Sequence, residues 1–226
     1  MTATLLIPLV GPLQSWGLDS RFDQRQTAAE PSKSGVIGMC CAALGRDRSE
    51  PIDDLAALEF GVRVDRQGRL SRDFHTARDV IGAGVNDQRT VVSNRWYLVD
   101  AAFLAGLHGS EPLLQAIHAA LQKPHWPMHL GRRSCPPTFP PGSGQVIPLT
   151  LEEALRQSPQ LVPGAQTYRL VLEDPLGPQA RPDQPLAPFS QRRFGMRRVR
   201  SLTISLSITP ASDLSADTET SGGAQP

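Results

Sequence analysis

Apolar and polar positions along the chain predict a short series of elements. Residues 3–10 (ATLLIPLV) form an apolar run closed by Gly11-Pro12, which predicts a buried strand, with Pro8 the one mark against a central position in a sheet. Residues 18–33 are polar and irregular. Val36, Ile37, Cys40, Cys41 and Leu44 then recur at helical spacing, with Ser32 or Ser34 as N-cap and Gly45 as C-cap, so a helix apolar on most sides is expected. Leu58, Phe60, Val62 and Val64 alternate with Glu59, Arg63 and Asp65, the pattern of a half-buried strand, and residues 91–99 (VVSNRWYLV) alternate again. Ser110-Glu111-Pro112 opens a second helix with Leu113, Leu114, Ile117 and Leu121 on one face and Lys123-Pro124 as its stop. Residues 126–131 (WPMHLG) suit a short strand.

The order is therefore β-α-β-β-α-β, that of the ferredoxin-like fold and of RRM-type RNA binders. The order alone says little about function, because this superfold hosts many. Residues 66–90 lack periodicity and read as a two-stranded arm or a long functional loop. The second half is looser. Residues 134–144 are a Pro/Gly loop, 151–157 a short helix, and 167–173 and 199–208 strands. Between those strands, residues 175–188 hold five prolines and read as loop. Beyond Pro210 the chain is polar and acidic and reads as disordered. The expected fold class is α+β: a ferredoxin-like (RRM/RAMP-type) domain over 1–133 with a protruding arm at about 66–90. A β-rich C-terminal part or subdomain over 134–209 and a disordered acidic tail over 210–226 complete it.

Composition narrows the classes. The chain has 226 residues, 39% of them hydrophobic, enough for a real core. No apolar run reaches the roughly 18 residues of a membrane span, and the N-terminus has neither a basic region nor a cleavage site, so a cytoplasmic protein is expected. Three cysteines, two of them adjacent and none in CxxC spacing, fit a reducing compartment and predict neither a disulfide framework nor structural zinc. The net charge of +1 hides two asymmetries. The basic residues are 21 Arg and only 2 Lys, and three acids after residue 209 leave +4 for the rest. A guanidinium fork grips phosphate where an ammonium is a point charge, although a GC-rich genome also favours Arg codons. Segment 192–200 (RRFGMRRVR), with Arg192 and Arg193 at its head, carries five Arg and no acid, which suits either a nucleic-acid footprint or a solvated edge strand.

Catalytic motifs are sparse. Ser34 sits in KSGVIG, not in a nucleophile elbow, and PSKSG lacks the first glycine of a P-loop. His125 and His129 lie four apart in a strand-like stretch, where roughly 13 Å separates them, so a metal pair is not expected. Lys33, His75 and Tyr97 are the available pieces for metal-free RNA cleavage. Binding features are better formed. Ser32, Lys33 and Ser34 stand at a helix start, a place for a phosphate or for simple capping. Gln14, Ser15, Trp16 and Gly17 offer a stacking surface with polar groups, or a Trp lid on the core. Arg132 and Arg133 follow Gly131 and can bracket a phosphate.

GPLQSWG after the first strand, PSKSGVIGMCCAALG, RDFHT and HWPMHLGRRSCPPT, in this order and spacing, resemble the CasD family of subunits of the type I-E CRISPR surveillance complex, Cascade. The resemblance runs from residue 5 to about residue 140. It implies a RAMP-type fold and a non-catalytic subunit that holds the 5′ handle of the mature crRNA. It also implies a CasC-like backbone subunit and a CasA-like large subunit as partners, with target DNA engaged indirectly and no membrane, metal or cofactor. Carried onto this sequence, it puts Gln14, Ser15, Trp16 and Gly17 in the handle pocket, Ser32, Lys33 and Ser34 on a phosphate, and His75 and the arginines of 66–95, Arg89 and Arg95 among them, on the arm or its base, with Arg132 and Arg133 closing the site. The alternative is a metal-independent endoribonuclease that processes precursor crRNA, as in type I-C relatives, using Lys33, His75 and Tyr97.

Overall fold

The computed structural model describes residues 1–17, 24–81, 88–164, 167–186, 188–191 and 193–205. In chain order the elements are β1 (Thr2–Val10), β2 (Leu13–Gln14), β3 (Gln24–Arg25), α1 (Lys33–Leu44), α2 (Asp53–Ala56), β4 (Glu59–Arg66), β5 (Arg69–Ile81) and β6 (Gln88–Val99). They continue as β7 (Ala102–Ser110), α3 (Glu111–Gln122), β8 (Val146–Ile147), α4 (Leu151–Gln157), β9 (Thr167–Glu173), β10 (Gln179–Pro185) and β11 (Phe194–Ser205). The main sheet is antiparallel with order β10-β11-β9-β4-β7-β1-β8.

Within it, β1-α1-β4-β7-α3-β8 follows the ferredoxin-like order, with the strands side by side as β8-β1-β7-β4. Two of the expected strands are elsewhere. The third core strand is β7, whereas 91–99 is β6, part of a second sheet. Residues 102–107 are buried on both faces, so β7 shows no alternation for a period-2 reading to find. Residues 126–131 form no strand; the sixth element is the two-residue β8. Trp126 instead donates its N–H to Ala42 O at the end of α1, and Leu130 bonds to Ser15 and Cys135.

Pro8 is tolerated in a central strand for a geometric reason. Leu6 N donates to Gln145 O on the β8 side, and backbone groups of alternate residues point the same way. The donor that Pro8 lacks therefore faces the side where β8 pairs only Thr4 and Leu5.

The Pro-rich stretch 175–188 is not all loop. It contains β10, the outermost strand, whose Pro182 lies in a register break between Arg181 and Gln184. Edge strands and bulges are where proline costs no ladder bond. β11 starts at Phe194 and is flanked by β10 and β9, so the basic run 194–200 lies in an inner strand and not at an edge. Both strands extend the core sheet past β4. Residues 206–208 of the expected last strand, the acidic tail 210–226 and Arg192 lie outside the described residues.

Helices α1 and α3 cover one face over a core that includes Leu5, Ile7, Leu9, Phe60, Phe103 and Ile117. Helix α4 covers the other over Leu6, Leu104, Leu170 and Leu172. Ser32 caps α1 and Gly45, at φ 74°, ends it, as the sequence predicts. The second sheet is the arm: β5 and β6 form a long hairpin, and β6 also pairs with β2 and β3.

Candidate nucleic-acid interface

The segments GPLQSWG, SKSGVIG and HLGRRSC meet at the root of the arm. Gln14 Nε2 donates to Leu9 O and Ala101 O, both at 2.9 Å, and its Oε1 accepts from Trp16 Nε1 at 3.0 Å. Trp16 is 1% exposed. Its ring presses on the start of α1, where a Cβ on Gly35 would lie 2.9 Å from Trp16 Cε3. Ser15 Oγ donates to Trp96 O at 3.1 Å. Gly131 has φ 90°, and a Cβ there would lie 1.8 Å from Ser15 O, so only glycine fits. Arg132 donates to Trp96 O and Arg25 O, and its guanidinium lies 4.9 Å from the Tyr97 ring centroid.

This arrangement corrects the handle-pocket assignment for Gln14, Ser15 and Trp16. Their polar groups are spent on internal bonds, because a buried amide or indole N–H left unpaired is costly. They join the arm to the core. Gly17 is exposed beside residues 18–23, which lie outside the described set.

The phosphate cradle at the start of α1 is corrected likewise. Ser32 Oγ accepts from Gly35 N at 3.2 Å, and Lys33 N donates to Asp183 Oδ2 at 2.8 Å. Lys33, 2% exposed, extends Nζ to within 3.0 Å of Glu173 Oε2. Asp183 also takes Arg197 Nε at 2.7 Å and Nη2 at 3.0 Å. The helix start does bind an anion, as its free N–H groups and dipole favour, but the anion comes from β10 of the same chain. Ser34 is half-buried and makes no such bond. Burial lowers the pKa of Lys33, with the Glu173 carboxylate opposing. Lys33→Met should accordingly leave the salt dependence of RNA affinity unchanged; a slope reduced by about one counterion would mean that Lys33 touches phosphate.

The arm carries exposed charge. On β5 and β6 the odd-numbered positions before the register break share one face, with His75 opposite Ser93 and Asp73 opposite Arg95. Beyond it Arg89, opposite Val80, stays on that face. The structure thus brings His75, Arg89, Arg95 and Tyr97 to one side of the arm, with Arg132 stacked at its root. Arg69, another of the arginines of 66–95, joins them. Arg69, Arg78, Arg89, Arg133 and Arg193 are exposed and form no ion pair with another described residue. Arg193 stands at the start of β11, beside β10, and not on the arm.

The opposite arm face is apolar. Leu70, Phe74 and Val92 share it, and Phe74 is 66% exposed. The register break between Ala77 and Val80, with Asp79 at φ 53°, puts Ile81, 80% exposed, on the same face. Arg72 lies over the half-buried Trp96 ring at 5.9 Å.

The three groups of the nuclease alternative are not assembled. His75 sits opposite Ser93, four residues from Tyr97 along β6, roughly 13 Å away. Lys33 is buried against Glu173. Burial also pushes the Cys41 thiol up to about 11 and raises Cys40 and Cys135, so none is an activated nucleophile. Among the described residues, no group of three or more His, Cys, Asp or Glu side chains could hold a metal ion, and no helix is long and apolar enough to cross a membrane.

Comparison with known proteins agrees with this architecture. Residues 4–200 match the family described as CRISPR-associated protein (Cas_Cas5). The chain is 34% identical over 160 residues to the CRISPR system Cascade subunit CasD of Escherichia coli (strain K12), which covers 62% of this chain and 70% of that one. It superposes on a solved Cas protein with TM-score 0.75 and 45% identity, over 89% of this chain and 95% of the other. It superposes equally on a chain of a CRISPR RNA-guided surveillance complex with TM-score 0.73 and 32% identity, over 90% of each.

Proposed function

The chain belongs to the CRISPR-associated Cas5 family, and from that premise we propose that it is a non-catalytic subunit of a type I-E RNA-guided surveillance complex that holds the 5′ handle of the crRNA. The observation that carries this reading is the likeness over 90% of the chain to a component of an RNA-guided surveillance complex. The two faces of the arm divide the work. The face with Arg69, His75, Arg89 and Arg95, continued by Arg133 at the root, grips the RNA backbone, where guanidinium forks suit phosphate. The face with Leu70, Phe74, Ile81 and Val92 docks on the neighbouring CasC-like backbone subunit, since an exposed apolar stripe on a projecting hairpin marks a protein contact. The body joins the CasA-like large subunit, and target DNA is engaged only through the assembly.

The endoribonuclease alternative needs a base, an acid and a cation in one place, and Lys33, His75 and Tyr97 do not provide it. The direct test is to purify the tagged chain from its host and sequence the RNA that comes with it. Guide RNAs sharing one constant 5′ segment, together with the backbone and large subunits, are expected; recovery without RNA would overturn the reading. A double Arg89→Ser, Arg95→Ser variant should lower the slope of log affinity against log salt by about 1.4, the effect of two lost phosphate contacts on a single strand. A salt titration of labelled RNA checks this, and an unchanged slope takes the RNA away from that face.

A further inference from the structure

A cationic cluster lies on the C-terminal strands, outside the arm. Glu30, 6% exposed, is held between two arginines of the C-terminal strands: Arg181 Nη2 at 2.6 Å from Oε1 and Arg169 Nη2 at 3.1 Å from Oε2. Each carboxylate oxygen thus has its own guanidinium, the way two oxygens of a phosphate are bracketed. Behind Glu30 lies a cavity of about 10 Å3, lined by Ser32, Arg181, Asp183 and Arg197. It has room for a single water. Arg197 is 7% exposed, yet its Nη1 has no hydrogen-bond partner. A buried charged donor without an acceptor is rare and calls for an occupant.

We propose that Arg169, Arg181 and Arg197 form a second RNA-phosphate site, occupied in the free chain by the chain's own Glu30, which the RNA displaces. The inference rests on the RNA-binding reading above. Three features favour phosphate as the incoming group. A phosphate has more acceptor oxygens than a carboxylate, so one that keeps both outer arginines has an oxygen left for Arg197, which lines the same cavity and has an unmet donor. Its greater bulk fits once the Glu30 carboxyl swings out and its volume joins the cavity. The surrounding charges, Lys33, Arg169, Arg181 and Arg197 against Glu173 and Asp183, leave an excess of positive charge when Glu30 withdraws.

Displacement needs only side-chain rotation. The backbone on the N-terminal side of Glu30 stays tied, with Ala28 N on Trp16 O at 2.7 Å and the Gln67 amide on Ala29 O. Arg169 and Arg181 are 31% and 26% exposed, so the outer rim is open to solvent. In the absence of RNA, Glu30 holds the arginine pair in place and screens it from stray anions.

The test uses the full-length chain and a labelled synthetic RNA of the constant 5′ segment recovered in the co-purification, with folding of every variant checked by its melting curve. Glu30→Gln should bind this RNA about three- to tenfold more tightly, with a salt slope steeper by about 0.7. Arg181→Ala, which carries the test if Glu30→Gln does not fold, should make the slope shallower by about 0.7. If both variants keep the wild-type slope while the Arg89→Ser, Arg95→Ser arm variant lowers it, Glu30 is a structural tie only and the inference falls. If the wild type itself binds no RNA, the underlying reading falls first.

Discussion

Replacing Trp16 with alanine is expected to lower the free energy of unfolding by about 3–5 kcal/mol, without changing the salt dependence of RNA binding in the protein that remains folded. The indole is buried among α1, β2 and the arm root, so its removal leaves a cavity where the ring now lies on Gly35. It also strips Gln14 Oε1 of its donor inside the core, which adds the cost of an unmet acceptor. Urea unfolding measures the first effect and a salt titration of labelled RNA the second. Stability within about 1 kcal/mol of wild type, together with weakened RNA binding, would mean that the ring stacks on a base after all.

The second large effect is expected at Asp183. Its carboxylate neutralises the buried Arg197 and accepts from the backbone N–H of Lys33, so it fastens β10 and β11 to the first turn of α1. Asp183→Ala should cost about 3–5 kcal/mol, because it leaves a guanidinium uncompensated in the interior. Adding Arg197→Met should recover much of that loss, since the penalty belongs to the orphaned charge and a thioether chain fills similar space over Phe60, which the guanidinium now covers at 5.1 Å. Unfolding curves of the two single variants and the double variant form the cycle. A double variant no more stable than Asp183→Ala would show that the pair is not what holds the strands.

Read from the sequence, much of the fold is legible. Helices α1, α3 and α4 and strands β1, β4 and β9 follow from apolar spacing and cap residues, because each presents one face or stripe to a core. The misread strands have a common cause. β7 is buried on both faces and β5 is exposed on both, so neither alternates, while β6 alternates because it is a half-covered arm strand. β10 is hidden by its prolines, which an edge position tolerates. In the site, the arm residues His75, Arg89 and Arg95 were legible by type, but their common face depends on the β5–β6 register, which sets His75 opposite Ser93 and Asp73 opposite Arg95. Lys33 looked like a phosphate ligand because its partners Glu173 and Asp183 lie 140 and 150 residues further along the chain.

By itself, then, the amino-acid sequence determined the family, the α+β class and the supply of arginines, because motif order, periodicity and composition are local properties of the chain. Only the tertiary structure decided which of those polar groups are spent. Burial commits Gln14 and Lys33 to distant partners, seals Trp16 against Gly35, and leaves Arg69, Arg78 and Arg89 of the arm in water. Whether a side chain meets a ligand or its own protein is fixed by contacts between segments far apart in sequence, which no local pattern encodes.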